Sequence, residues 1–175
     1  MTLQFWTPLG MIKQHLKTPI LVCVLLMNAW GAYAVELGQN VAEFEIPGFN
    51  AAQKIADFKG KWVYLDFWAS WCVPCRQSFP FMNEMQAKLQ GKNIQIIAVN
   101  VDVKKTDAER FLLQNPAGFA LAFDPKGDLP RRMNLKSMPT SYLINPQGRV
   151  VYIHAGFRTE DKKILEDKLL SEVRD

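Results

Sequence analysis

Apolar and polar positions follow two different periods along this chain, and the switches between them predict the order of its elements. Two runs have almost no polar break: Lys61-Trp62-Val63-Tyr64-Leu65-Asp66-Phe67-Trp68, and Asn93-Ile94-Gln95-Ile96-Ile97-Ala98-Val99-Asn100-Val101-Asp102. Both are rich in β-branched and aromatic residues, as expected of central strands covered on both faces. Between them Phe79, Met82, Met85, Gln86 and Leu89 recur at helical spacing, with Pro74 in the first turn and Gly91 as the stop. Pro80 lies inside that helix and is expected to kink it, since it removes a hydrogen bond. Thr106, with Glu109 three residues later, predicts a capping box for a helix running to about Gln114, closed by Asn115-Pro116.

Short extended pieces follow over residues 119–123, then a turn at Asp124-Pro125-Lys126-Gly127. Residues 140–144 and 150–154 read as strands joined by Asn145-Pro146-Gln147-Gly148, a hairpin signal. Residues 159–173 read as a closing helix with Ile164, Leu165, Lys168 and Leu169 along one stripe, and residues 36–49 as an extended lead with a turn at Pro47-Gly48. Alternating strands and helices followed by an antiparallel pair predict an α/β fold: a mixed sheet flanked by helices on both faces.

Composition leaves this picture intact. A chain of 175 residues with 49% apolar and 22% charged residues supports one domain with a proper core and a short extension. The formal charge of +4 falls to 19 basic against 17 acidic residues once Lys13 and Lys17 are set aside. The remaining basic residues are scattered in isolated doublets such as Lys104-Lys105 and Arg131-Arg132, so no nucleic-acid footprint is expected.

The N-terminus reads as an address. Lys13 and Lys17 precede the apolar run Ile20-Leu21-Val22-Cys23-Val24-Leu25-Leu26-Met27, and Ala32-Tyr33-Ala34 supplies a small-x-small site. These are the three parts of a secretory signal peptide. The run is shorter than the roughly 20 apolar residues of a spanning helix. Residues 1–34 are therefore expected to be removed, leaving 35–175 as a periplasmic domain; uncleaved, they would anchor that domain to the outer side of the inner membrane.

Without Cys23 the domain has two cysteines, Cys72 and Cys75. A structural disulfide across so short a loop would remove little unfolded-state entropy. A zinc site would need two further ligands, and the domain offers no other cysteine and only His154 among histidines. Haem attachment would need histidine where Arg76 stands. A redox dithiol at a strand-to-helix junction fits instead. The helix N-terminus favours a Cys72 thiolate, which attacks a disulfide, and Cys75 resolves the mixed disulfide. No cofactor and no resident metal are expected.

The segment Asp66-Phe67-Trp68-Ala69-Ser70-Trp71-Cys72-Val73-Pro74-Cys75-Arg76 resembles the active-site segment of the thioredoxin superfamily, and Lys136-Ser137-Met138-Pro139-Thr140 resembles its second landmark. The signal, Trp-Cys-x-Pro-Cys-Arg and Phe79-Pro80 are similar to the exported TlpA-like, or cytochrome-c-maturation-like, thiol–disulfide oxidoreductases. The resemblance implies a thioredoxin fold over about residues 36–175 and a cis Met138-Pro139 bond beside the cysteines. It also implies a backbone there that pairs with substrate like an added strand. Trp71, Met138 and Pro139 are the implied docking residues. Asp66 is implied to move a proton to and from Cys75; the lysine that thioredoxins place beside it is Ala98 here, and the glutamate many relatives carry three residues after the second cysteine is Ser78. The implied partners are disulfide-bearing exported proteins, with a membrane thiol transporter as electron donor. Trp62, Phe67 and Trp68 are assigned to core packing, and His154 to the strand surface. Two other readings stay open: a disulfide-donating oxidant, and a dithiol Cu(I)-binding or delivery module, since paired thiolates suit that ion.

Overall fold

The computed structural model describes Thr2 and residues 35–48, 53–58 and 60–173. The expected signal, with Cys23 and its cleavage site at Ala34, lies outside the described residues.

The uninterrupted apolar runs form the middle of a five-stranded sheet. Its members are β3 (Trp62–Trp68), β4 (Ile94–Asn100), β5 (Ala120–Phe123), β6 (Thr140–Ile144) and β7 (Val150–Ala155), in the spatial order β5-β4-β3-β6-β7. β3, β4 and β5 are parallel; β6 runs antiparallel to β3, and β7 antiparallel to β6. The sheet is thus mixed, as the pattern predicted, and β3 is central with neighbours on both sides. A separate two-stranded ribbon, β1 (Glu45–Ile46) with β2 (Gln53–Lys54), leads into a 3-10 turn over Ile55–Phe58. Neither piece is long enough to leave a periodic trace in the sequence.

Alternation along β3 sends Tyr64, Asp66 and Trp68 to one face and Val63, Leu65 and Phe67 to the other. Three helices supply the cover for the first face: α1 (Val73–Lys88), α2 (Lys105–Gln114) and α4 (Asp161–Glu172). Val35, Val41, Ile46 and Ile55 cover the second, with Leu129 and Met133 from the short α3 (Asp128–Arg132) and its end. That helix was hidden in the sequence by Pro130. It starts at Gly127, whose φ of +66° suits glycine, and the Leu129 N–H donates to buried Asp124 at 2.7 Å.

Four aromatic rings knit α1 and α2 to the sheet. Phe79 stands 4.8 Å from Trp68, 4.9 Å from Phe111 and 5.3 Å from Phe119 between centroids, mostly edge to face. Such pairs add to plain area burial. Phe79→Ala should therefore lower the unfolding free energy by about 3–5 kcal/mol, read from the urea midpoint at unchanged slope. A loss under 1 kcal/mol would mean the cluster re-closes around the gap.

Three local expectations need correction. Thr106 does not cap α2: the helix begins at Lys105 after an extended Lys104 with no side-chain cap, and Lys105 pairs with Glu109 at 3.5 Å. Ile164 is 59% exposed, so the buried stripe of α4 is Leu165 and Leu169, while Lys168 lies over the Tyr152 ring. His154 is largely covered rather than a surface residue; its ring stacks on Tyr152 and its Nε2 lies 3.4 Å from Asp161. α1 runs through Pro80 as one helix, with the proline on the exposed side.

Candidate active site

The site begins where β3 ends. Trp68 and Ala69 are fully buried, and the chain then turns through Ser70 and Trp71 before α1 starts. That turn has no apolar anchor of its own. Asp102, just past β4, holds it instead: the buried carboxylate accepts from the Ser70 N–H at 2.9 Å and from its hydroxyl at 3.1 Å. Asn100 fixes the same carboxylate through its side-chain amide at 2.8 Å. A carboxylate with three donors is well satisfied despite burial. Asp102 carried no motif, and only its place at the end of an apolar strand hinted at a role.

Cys72 is the N-cap of α1, with extended backbone (φ −80°, ψ 105°), and Pro74 sits in the first turn. Its sulfur accepts from the Cys75 N–H at 3.3 Å. The positive end of α1 therefore meets this atom, an environment that stabilises a thiolate. Cys72 and Cys75 are joined by a disulfide with 5.3 Å between their Cα atoms. The two sulfurs differ in access. Cys75 is completely buried, Cys72 is 5% exposed, and Trp71 and Val73 beside it are about two-thirds exposed.

Met138-Pro139 is cis. Pro139 is buried, and its carbonyl accepts from the Gly156 N–H at 2.7 Å. Met138 is half-buried and packs against the apolar cluster that contains both cysteines. Met138 and the cysteine pair thus share one apolar cluster, and Trp71, next to Cys72 in the chain, is exposed.

Asp66 is 1% exposed and lies on the same face of β3 as Tyr64 and Trp68, which belong to the cluster that holds the cysteines. Burial pushes its carboxyl up to about 7, offset in part by a hydrogen bond from Ser141. Ser141 Oγ donates to Asp66 Oδ1 at 2.7 Å and accepts from the Tyr64 hydroxyl at 2.8 Å. Ala98 stands opposite Asp66 on β4, so no cation offsets the charge from that strand. Ser78 is buried, and its hydroxyl donates to the Cys75 carbonyl at 3.0 Å, so this position supplies no acid. Ser141 and Tyr64 escaped the sequence reading because a serine and a tyrosine in apolar strands look like ordinary half-polar positions. The signal was their alternation: both share the pleat of Asp66 or its register.

Residues 37–153 match the model of the AhpC/TSA family. The chain is 32% identical over 163 residues to thiol-disulfide oxidoreductase ResA of Bacillus thuringiensis subsp. konkukian, covering 87% of this chain and 94% of that protein. It is 31% identical over 147 residues to ResA of Bacillus subtilis, covering 81% and 82%. A crystal structure from Chlorobium tepidum, assigned to the thiol:disulfide interchange protein DsbE, superposes with a TM-score of 0.75 at 50% identity. It covers 81% of this chain and 100% of that one.

Proposed function

The chain belongs to the AhpC/TSA family and has the thioredoxin fold, and from that premise we propose that it is an exported thiol–disulfide oxidoreductase that reduces disulfides of periplasmic proteins. Relatives at about a third identity are named thiol-disulfide oxidoreductases, which supports the activity. The observation that carries the reading is the asymmetry of the pair: one sulfur reachable at a helix N-terminus beside exposed apolar side chains, the other sealed behind it.

In the reduced protein the Cys72 thiolate attacks one sulfur of a client disulfide. A Cys72–client bond forms, the client S–S bond breaks, and the electron pair leaves on the second client sulfur, which takes up a proton. Cys75 loses its proton to Asp66 and attacks Cys72; the intramolecular disulfide forms, and the first client sulfur departs as thiolate. Two electrons pass to the client. Trp71, Met138 and Pro139 dock the client strand around Cys72. A membrane thiol transporter returns the electrons, and apocytochrome c is the class of client that the cytochrome-c-maturation resemblance favours. Residues 1–34 direct export, and an uncleaved segment would hold the domain at the inner membrane. Among the described residues no helix is long and apolar enough to cross one.

Cys75→Ser expressed in the native compartment should accumulate mixed disulfides through Cys72, and mass spectrometry should identify exported cysteine-bearing proteins in them. Recovery of adducts with a disulfide-donating enzyme alone would reverse the assigned direction of flow.

A further inference from the structure

Asp66 is a buried carboxyl with two unlike oxygens. Oδ1 accepts from Ser141, whereas Oδ2 is buried and has no hydrogen-bond partner among the described residues. Ser141 has a single hydroxyl proton. Because that proton goes to Asp66, the serine must accept from its other neighbour, and Tyr64 is placed to donate at 2.8 Å. Tyr64 is itself buried, and its ionisation is pushed far up by that burial and by the nearby carboxyl, so it acts as a fixed donor. The three side chains form one directed chain: Tyr64 to Ser141 to Asp66.

We propose that Ser141, itself oriented by Tyr64, is a positioning residue that holds the Asp66 carboxyl through Oδ1 and makes Oδ2 the oxygen that exchanges a proton with the cysteine pair. The proposal rests on the reading that Asp66 handles that proton. The strand register builds the arrangement: Asp66 on β3 pairs with Ser141 on β6, and Tyr64 lies two residues before Asp66 on the same face. An unheld carboxyl could turn either oxygen toward the cysteines or away from them. With Oδ1 engaged, protonation falls on Oδ2 alone, and the acid form keeps the serine bond unbroken. When Cys75 gives up its proton, Oδ2 accepts it. When the departing client thiolate is protonated from within the site, Oδ2 returns it. Asp66 thus ends the exchange in the ionisation state in which it began.

The serine bond also tunes the acid. It stabilises the carboxylate against the cost of burial, and it is the one contribution that brings the carboxyl down. The remaining neighbours supply no substitute. Ala98 faces Asp66 from β4; Tyr152 and His154 lie on β7, with His154 in register with Ser141 and turned to Asp161 of α4. Lys168 of α4 is over the Tyr152 ring. α1 contributes the cysteines and Ser78, whose hydroxyl is directed at backbone.

The test follows Asp66 itself by carbon NMR of aspartate-labelled oxidised protein, together with the pH profile of insulin reduction driven by dithiothreitol. Ser141→Ala should raise the Asp66 midpoint by about one to two pH units and move the rate profile by the same amount. Ser141→Thr, which keeps the hydroxyl, should restore both; Tyr64→Phe should move both in the same direction by less. A purely structural serine would change stability and leave the midpoint and the profile in place, and that result overturns the proposal. So does a midpoint that moves without the rate profile. An Asp66→Asn profile identical to the parent removes the Asp66 reading and the proposal with it; the two failures are distinguished because the carboxyl signal reports the serine bond in either case.

Discussion

Cys72→Ser is expected to form no covalent intermediate and to leave insulin reduction at the uncatalysed rate, whereas Cys75→Ser should still form the intermediate and stall there. Both variants lose turnover, yet for different reasons that the burial of the two sulfurs dictates. Cys75 is completely enclosed, so with Cys72 gone no client sulfur can approach it. Cys72 keeps its 5% exposure and its helix N-terminus when Cys75 is replaced, and so completes the first exchange. Gel-shift analysis of the variants with a glutathionylated peptide separates the cases: an adduct for Cys75→Ser and none for Cys72→Ser. An adduct through Cys75 in the Cys72→Ser protein would contradict this assignment of roles.

The second large effect is on stability, and its sign depends on pH. The Asp66 carboxyl stands at about 7 in the folded protein, above its value of 3.8 when exposed. Between those values the folded state binds the extra proton, so stability falls as pH rises through this window and stays reduced above it. A rise of about three pH units corresponds to a penalty on the order of 4 kcal/mol at pH 8. Asp66→Asn removes the ionisation. Relative to the parent, the variant should gain up to about 4 kcal/mol between pH 4 and pH 8, the cost of its own buried amide being the same at both. Urea unfolding of both oxidised proteins at the two pH values measures the difference, and groups common to both proteins cancel. A difference between the two proteins that is the same at pH 4 and pH 8 would mean that the carboxyl ionises without cost in the folded state. Slower client reduction in the same variant would show a stabilising change working against activity, as expected when a strained group serves function.

Much of the fold was readable because its strands are buried on both faces: the runs ending at Trp68 and Asn100 have little polarity to confuse their period. The hairpin was readable from its turn residues, and Gly91, at φ +82°, ends the α1 region as its place after the periodic run suggested. What escaped was set by single contacts rather than by period. α3 depends on one buried aspartate and a glycine in left-handed backbone, and contains a proline. The ribbon of β1 and β2 has two residues a side. Ile164 fitted a helical stripe but faces out, because the stripe on α4 is only two residues wide. At the site, the cysteines stood out by spacing, and Met138-Pro139 and Asp66 through the resemblance to the thioredoxin superfamily, while Ser141, Tyr64 and Asp102 act through partners 75, 77 and 32 residues away. A linear pattern cannot report such pairings.

The hold of Asp102 on Ser70 also bears on how a client must arrive. The turn carrying Trp71 and Cys72 borrows its rigidity from the end of β4, through the N–H and hydroxyl that Asp102 accepts. A turn held in this way is expected to keep the reactive sulfur and its tryptophan in place, so that the incoming polypeptide does the bending. Cysteines in extended or still unfolded segments can comply at little cost, while those locked in a finished domain cannot. Cysteines in extended client segments are therefore expected to be reduced faster than the same cysteines locked in a folded domain, which rates on native and unfolded forms of one client would measure.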